Sequence, residues 1–565
     1  MQLSHIEISN YRNLSGVNID FSDDINIIVG ENNIGKSNLL YCILSILTGK
    51  KFEEMDFFDK EKPIIIDFSL HLDDEELGVF DDFFDAQDHH SINIVATQST
   101  PDDYITYTHK ETQTSISRAD IVNNLNFINY DSLRNPKTEI NFTKTKGAGL
   151  FLNYIIAKYL SKTDSTLYLV EEKIQKLNEY IREILAKLTC FNKFDIVTNA
   201  SDDPSTILPK IFELYDNNDI PLERSGYGIQ FNILILLSIL EKLVKFSKNN
   251  ESMENRTFHC IISFDEPEIH LSPFLQRSIL NNIKNIAQGK DNDFNSLIKE
   301  LFNIDTFTAQ LLVSTHSKEI IENDYHKIIR LYNNASNVNT ISGKNLNIET
   351  EEKHWYKEFS YIKEAMFARK VIIFEGDSEQ GALNSFSKKL NINLDDHNIS
   401  LIKASGANNI LPLANLFDAF QITPILIYDK DKYDEYQQKQ KSKEKLDKFG
   451  DNVFKTDSKC FDSEMVFSLY TDQGITVLEK IRKEFNQDSI QKTSINQINK
   501  QYNLKILEQD YNFASSKYPD ETLKYMYISY FQQHKTVLFG QVVGEECPVE
   551  CIPECYKSAI KKAIE

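Results

Sequence analysis

At 565 residues the chain exceeds what one core organises and points to about three or four domains. Its 41% hydrophobic and 26% charged residues are those of ordinary globular protein, and no apolar run approaches a membrane span. A net charge of −22 excludes a generally adhesive nucleic-acid binder, and the alternating, strand-like opening predicts no export signal and a cytoplasmic location.

Residues 3–8 and 17–21 predict two strands joined by a polar turn. Residues 26–29 predict a buried strand running into Gly30-Glu31-Asn32-Asn33-Ile34-Gly35-Lys36-Ser37, with a helical pattern over 38–47. Strand, glycine-bounded loop and helix is the setting in which backbone N–H groups cradle phosphates. Gly30, Asn32, Asn33 and Gly35 belong to that cradle, Lys36 neutralises charge and Ser37 offers a hydroxyl to Mg²⁺. Alternating segments at 64–72, 92–97 and 126–130 predict further strands. Over 150–193 apolar residues recur at three- and four-residue steps, which predicts an inserted helical arm; a dimerisation role and simple domain packing fit it equally.

Residues 220–244 predict a glycine-bearing turn and a long apolar helix. Within them, Ser225-Gly226-Tyr227-Gly228-Ile229-Gln230 places backbone donors where a phosphate would dock. The β-rich run 257–264 ends in Asp265-Glu266-Pro267. Asp265 would hold Mg²⁺ through water, and Glu266 would polarise an attacking water. A second run, 309–314, ends in Thr315-His316-Ser317, where His316 would hydrogen-bond a γ-phosphate. ATP is the ligand this set implies. The asparagine-rich stretch 333–352 reads as a linker and 351–367 as a connecting helix.

Beyond it, alternating strands and helices beginning near Val371, Ser378, Ile399, Asn408 and Ile425 predict a small α/β domain. One apolar run ends in Glu375-Gly376-Asp377-Ser378-Glu379, and another in Asp429-Lys430-Asp431. On a parallel sheet such strand ends meet at one edge, and four carboxylates stay ionised side by side only with cations between them. A Mg²⁺ or Mn²⁺ site acting on phosphates follows. Residues 437–448 carry five lysines against two acids and read as a solvated loop, with a grip on a DNA backbone as the alternative. Cys547, Cys551 and Cys555 lack the usual paired zinc spacing and read as reduced cysteines.

In order, the phosphate loop, an insertion, Ser225-Gly226-x-Gly228-x-Gln230, Asp265-Glu266-Pro267-Glu268 with His270-Leu271-Ser272-Pro273, and His316 resemble the ABC-type ATPases of the SMC and RecF class. So does Ile8-Ser9-Asn10-Tyr11-Arg12-Asn13. The resemblance implies ATP sandwiched between the loop of one copy and the signature of another, hence a homo-oligomer, a dimer or a dimer of dimers. The signature departs from a strict LSGGQ, which bears on fast hydrolysis. Glu375-Gly376-x-x-Glu379 with Asp429-x-Asp431 resembles the Toprim domain.

An ABC-type ATPase followed by Toprim resembles the OLD family of nucleases over essentially the whole chain, including Tyr130-Asp131-Ser132-Leu133-Arg134 and Ile552-Pro553-Glu554. It looks closest to the class containing the nuclease subunit of the Gabija anti-phage system, whose members often act beside a UvrD-like helicase. The fold implied is α/β: an ABC/SMC-like ATPase domain in 1–149 and 205–350, an inserted helical dimerisation arm in 150–204, and a Toprim nuclease domain in 351–565. Carried over position by position, Glu375, Glu379, Asp429, Asp431 and Glu464 bind two divalent ions, Glu379 serves catalysis directly, and Lys535 stabilises negative charge on the reacting phosphate.

The activity implied is ATP-regulated, metal-dependent nicking or cleavage of double-stranded DNA, in anti-phage defence. A non-enzymatic ATP-dependent DNA clamp with a scaffold Toprim domain is the alternative. Primase and topoisomerase readings rank lower, because no zinc finger and no tyrosine-bearing DNA-gate domain accompany the Toprim motifs.

Overall fold

A computed structural model describes residues 1–76, 80, 83, 85, 87–131, 148–162, 171–193, 197–200, 212–215, 219–249, 257–269, 271–334, 337–348, 359–471, 474–485, 496, 499–500, 502–503, 505, 513 and 520–565. Ser132, Leu133, Arg134, His270 and residues 351–358 of the expected connecting helix lie outside the described residues. The chain divides into two units, Met1–Asn345 and Leu346–Glu565. No described helix is long and apolar enough to cross a membrane.

The first unit is built on two six-stranded sheets. One is antiparallel and comprises β1 (Gln2–Ser9), β2 (Asn18–Asp20), β4 (Ile64–His71), β5 (Ser91–Gln98), β6 (Thr106–His109) and β7 (Ser115–Ile116), in the order β2-β1-β4-β5-β6-β7. In β4 and β5 burial alternates residue by residue, as a sheet with one covered face requires. The other sheet contains β3 (Ile25–Val29), β8 (Phe127–Tyr130), β11 (Thr257–Asp265), β12 (Thr306–Ser314), β13 (Ile328–Asn334) and β14 (Asn337–Ser342), in the order β14-β13-β3-β12-β11-β8. All of it is parallel except the β13–β14 pair. Every residue of β3 is buried, as in a central parallel strand covered on both faces. The helix Lys36–Thr48 places Leu39, Ile43 and Ile46 in one core with Ile6, Ile66 and Ile94 of the first sheet and Ile28 and Leu312 of the second.

The region expected as an arm holds helices Ala148–Lys162, Glu171–Ala186 and Thr189–Lys193, then β9 (Val197–Ala200), which pairs antiparallel with β10 (Phe212–Tyr215). The first of these helices is tied to its own unit. The Tyr154 hydroxyl donates to the carbonyl of Leu301 at 2.7 Å, and the Lys158 amine to that of Glu300 at 2.7 Å. Those bonds fit the domain-packing role. The boundary between the two units falls inside the stretch 333–352 expected as a linker, but its first part is not a linker: β14 lies there and pairs with β13 from Ile329↔Ser342 to Asn334↔Asn337. Polar side chains also tie β14 to β2 of the antiparallel sheet. The Thr340 hydroxyl donates to the Asn18 carbonyl at 2.6 Å and Ser342 to that of Asp20 at 2.7 Å, so hydrogen bonds replace the apolar signal expected of a strand.

The second unit carries a parallel sheet of β15 (Lys370–Phe374), β16 (Ile399–Lys403), β17 (Thr423–Tyr428) and β18 (Val453–Lys455), in the order β16-β15-β17-β18. The lysine-rich 437–448 is not a loop, which corrects that expectation: helices Lys430–Gln438 and Gln440–Asp447 cover it. Lys439 pairs with Glu435 at 2.7 Å and Lys448 with Asp418 at 2.5 Å. Cys547 and Cys551 are buried in the apolar core with Met465 and Ile560, as reduced cysteines.

Two glycines set the position of the helix Asp377–Lys389. A Cβ at Gly381 would meet the Val537 carbonyl oxygen at 2.0 Å, and one at Gly540 the Ser378 carbonyl oxygen at 1.9 Å. This helix and the helix Val537–Glu546 therefore touch backbone to backbone. Gly540→Val should destabilise the second unit by about 3 kcal/mol or more, read as a lower urea midpoint. An unchanged midpoint would show the contact to be loose.

Candidate nucleotide and metal centres

β3 delivers the chain to Gly30 at φ 147°, where a Cβ would lie 2.5 Å from the Leu331 carbonyl oxygen, so only glycine fits. Asn32 and Asn33 form the exposed crest, Asn33 at φ 60°, and Gly35 at φ 114° precedes the helix. Lys36 is buried and curls back onto the loop, donating to the carbonyls of Gly30 at 3.0 Å and Glu31 at 2.9 Å. Burial pushes its pKa down to about 8, against the pull of Glu266, Asp265 and Glu268.

β11 and β12 run side by side with Asp265 opposite Ser314, so both strand ends face the loop that follows β3 in the same sheet. Asp265 Oδ1 accepts the Ser37 hydroxyl at 3.0 Å and also the Ser314 hydroxyl. The two groups expected to share Mg²⁺ thus already meet, and the pair suits a hard cation. Glu266, at φ 51°, faces His316 Nε2 at 3.5 Å. The sequence reading missed Glu268. It accepts the Thr315 hydroxyl at 2.8 Å and the His316 backbone N–H at 2.6 Å, and so fixes the turn that presents His316. Its signal was the third acid in Asp265-Glu266-Pro267-Glu268. Ser225 and Gly226 immediately precede the helix Tyr227–Asn249, and their backbone bonds run to Leu222, Ile229 and Gln230.

Burial, and then Lys36, push His316 down to about 4. A histidine lowered from 6.5 binds its proton more readily when unfolded, so its contribution to stability is complete above that value and lost as pH falls towards 4. Thermal melts between pH 7 and 5 should therefore show a steeper loss for the wild type than for His316→Gln. Parallel curves would remove His316 from the acid sensitivity.

In the second unit, Glu375 follows β15 directly, Asp429 follows β17, and Lys403 closes β16. Glu375, Glu379, Asp429, Asp462, Lys403 and Lys535 line one cavity of about 350 Å³. Glu379, on the first turn of the helix Asp377–Lys389, is 3% exposed. Its Oε2 accepts the Gly376 N–H at 2.8 Å, and Oε1 lies 3.4 Å from the Tyr556 hydroxyl. Asp429 Oδ1 accepts the Phe461 N–H at 3.0 Å. Burial first, then neighbouring carboxylates, hold Glu379 and Asp429 well above the usual carboxylate range. Burial and Asp431 also raise Glu375.

Asp431 is exposed on the first turn of the helix Lys430–Gln438 and does not line the cavity. Glu464 is likewise not brought to it: its Oε2 accepts the Ser458 N–H at 2.5 Å. Asp462, two positions earlier on the helix Phe461–Leu469, reaches the cavity instead. It is 1% exposed, and its Oδ2 lies 3.1 Å from Lys535 Nζ. Burial alone would lower Lys535, but Asp462 outweighs it and keeps the amine charged. Glu375 Oε2 and Asp462 Oδ1 are buried with no hydrogen-bond partner among the described residues. Carboxylates that raise one another, with two oxygens left unsatisfied, have the chemistry of a divalent-cation site.

Residues 1–188 and 141–321 match the AAA ATPase domain, and residues 366–431 match the Overcoming lysogenization defect protein-like TOPRIM domain. The chain belongs to the OLD family. Among OLD-family relatives, the Old nuclease of Escherichia phage P2 is 22% identical over 483 residues, 76% of this chain and 77% of that one. RecF of Bacillus cytotoxicus is 42% identical over 50 residues, 9% of this chain and 13% of RecF. Two solved structures are also similar. The C-terminal region of the Burkholderia pseudomallei OLD protein has 17% identity and a TM-score of 0.25, covering 35% of this chain and 97% of that one. An SmcHead bound to the C-winged helix domain of ScpA has 16% identity and a TM-score of 0.39, covering 62% and 98%. This OLD-family chain thus joins an ATPase domain to a Toprim domain.

Proposed function

We propose that this chain is a divalent-metal-dependent endonuclease acting on double-stranded DNA, with cutting regulated by ATP at the first unit. The observation that carries the reading is the single cavity in which Glu375, Glu379, Asp429 and Asp462 converge and leave two buried carboxylate oxygens unsatisfied. Mg²⁺ or Mn²⁺ bound there supplies an activated water and stabilisation of the departing 3′ oxygen. Glu375, Glu379, Asp429 and Asp462 hold that charge, with Asp431 adding to the field felt by Glu375 and Asp429. The Gly376 N–H keeps Glu379 aimed while the cavity fills. Lys535 presents a cation to the phosphate undergoing attack, and Lys403, paired with Asp377 at 2.9 Å, stands at the same cavity.

In the first unit, Lys36, Ser37 and Asp265 would hold ATP with Mg²⁺, and Glu266 and His316, 3.5 Å apart at the neighbouring strand ends, would act on the nucleotide held there. The resemblance of Ser225-Gly226-x-Gly228-x-Gln230 to an ABC-type signature supports a homo-oligomer in which it completes the site of a second copy. A role against phage DNA rests on the resemblance to the Gabija nuclease class alone.

The test is supercoiled plasmid incubated with Mg²⁺ or Mn²⁺, with and without ATP, comparing wild type, Glu379→Ala and Lys36→Ala. Wild type should nick or linearise the plasmid and Glu379→Ala should not. An intact plasmid with wild type under every metal, or equal cutting by Glu379→Ala, ends the reading.

A further inference from the structure

The first unit holds a second cluster of ligating side chains, at the opposite end of the parallel sheet from the nucleotide loop. His259 lies near the start of β11 and Asp265 at its end, a separation of about 20 Å along an extended strand. Beside His259 lies the turn that leaves β4. The Asp73 N–H bonds Glu76 Oε2 at 3.1 Å, and the Glu76 N–H bonds the Asp73 carbonyl at 2.9 Å, which folds both carboxylates onto one side of the turn. His259 Nε2 stands 2.8 Å from Asp73 Oδ2. One ligating atom each from Asp73, Glu76 and His259 lies within 4.8 Å of the other two.

We propose that Asp73, Glu76 and His259 form a binding site for a transition-metal dication of the zinc type, stapling the antiparallel sheet to the parallel one.

The ligand set argues for that class of ion. Imidazole with two carboxylates suits Zn²⁺, whereas Mg²⁺ prefers oxygen ligands only. The imidazole is already oriented as a metal ligand is: Nδ1 bonds the hydroxyl of Thr308, its register partner on β12, so Nε2 is the nitrogen turned towards Asp73. Two ligands each about 2.1 Å from one tetrahedral ion sit about 3.4 Å apart, so the 2.8 Å pair has to open by about 0.6 Å. An adjoining cavity of about 470 Å³ is lined by Asp73, His259, His71 and His90, whose last two rings lie 5.9 Å apart between centroids. Solvent and the ion can therefore reach Asp73 and His259.

The Met1 ammonium holds Glu76, so the metal competes with that cation for Glu76 and with a proton for His259. Because Asp73 and Glu76 follow β4 and His259 belongs to β11, occupancy joins the two sheets on either side of the helix Lys36–Thr48. The site is independent of the nuclease reading.

The experiment uses the full chain, stripped with a chelator and then exposed to Zn²⁺ in excess Mg²⁺, which keeps the Toprim carboxylates occupied. Zinc is counted by elemental analysis after gel filtration, and melting is followed in parallel. Wild type should retain one zinc per chain more than His259→Gln or Asp73→Asn, and zinc should raise the melting temperature of wild type alone. Co²⁺ should give wild type a visible absorption band that Zn²⁺ removes, a readout that does not depend on how well the variants fold. Wild type without retained zinc, variants holding as much as wild type, or a featureless Co²⁺ spectrum would overturn the site.

Discussion

Glu379→Gln should lower metal-dependent plasmid cleavage by on the order of 10²–10³-fold while leaving the fold intact. Alanine at this position removes two things together, a charge and the cap of its own helix. Glutamine separates them. Its amide oxygen can still accept the Gly376 N–H that Glu379 Oε2 now takes at 2.8 Å, and it can still face the Tyr556 hydroxyl. What disappears is the negative charge, which burial and Glu375 disfavour in the absence of a cation. The metal-free melting temperature of Glu379→Gln should therefore equal or exceed that of wild type, and Mn²⁺ affinity, read by paramagnetic resonance, should fall. A variant that cuts at the wild-type rate would show that Glu379 is a helix cap and nothing more.

Lys36→Ala should weaken ATP binding by on the order of 10²-fold, as expected when a buried cation that bonds phosphate oxygens is lost. The Lys36 amine bonds the carbonyls of Gly30 and Glu31, which hold it over the phosphate loop. Titration with a fluorescent ATP analogue measures the loss. In the same preparation, plasmid cleavage should persist but stop responding to ATP, because the described residues lining the Toprim cavity all belong to the second unit. Unaltered ATP dependence in Lys36→Ala would place nucleotide control elsewhere.

The parts of both centres legible in the sequence sit at the end of a buried strand or one residue beyond it. Gly30, Asp265, Glu375 and Asp429 each follow or end an apolar run, so a local pattern locates them. Helix phase was not legible. Asp462 and Glu464 both open the helix Phe461–Leu469, and positions two apart on a helix point to nearly opposite sides. What chooses Asp462 is Lys535, far along the chain, and what removes Glu464 is the Ser458 N–H. Glu268 escaped for a related reason, since its partners Thr315 and His316 belong to another strand end. The lysine run 437–448 misled because its charge pattern resembles a loop, while it folds as helix whose flanking Lys439 and Lys448 pair at the surface with Glu435 and Asp418. The asparagines of β13 and β14 marked the right region for the boundary between the units but hid the strand that precedes it.

The backbone-to-backbone meeting at Gly381 and Gly540 has a consequence for how such a blade is switched. A helix seated with no side chain between it and its neighbour resists sliding and rolling across that seat, which favours a fixed Glu379. If ATP governs cutting as proposed, control then falls more readily on whether a duplex is admitted to the acids than on whether the acids are drawn back from it.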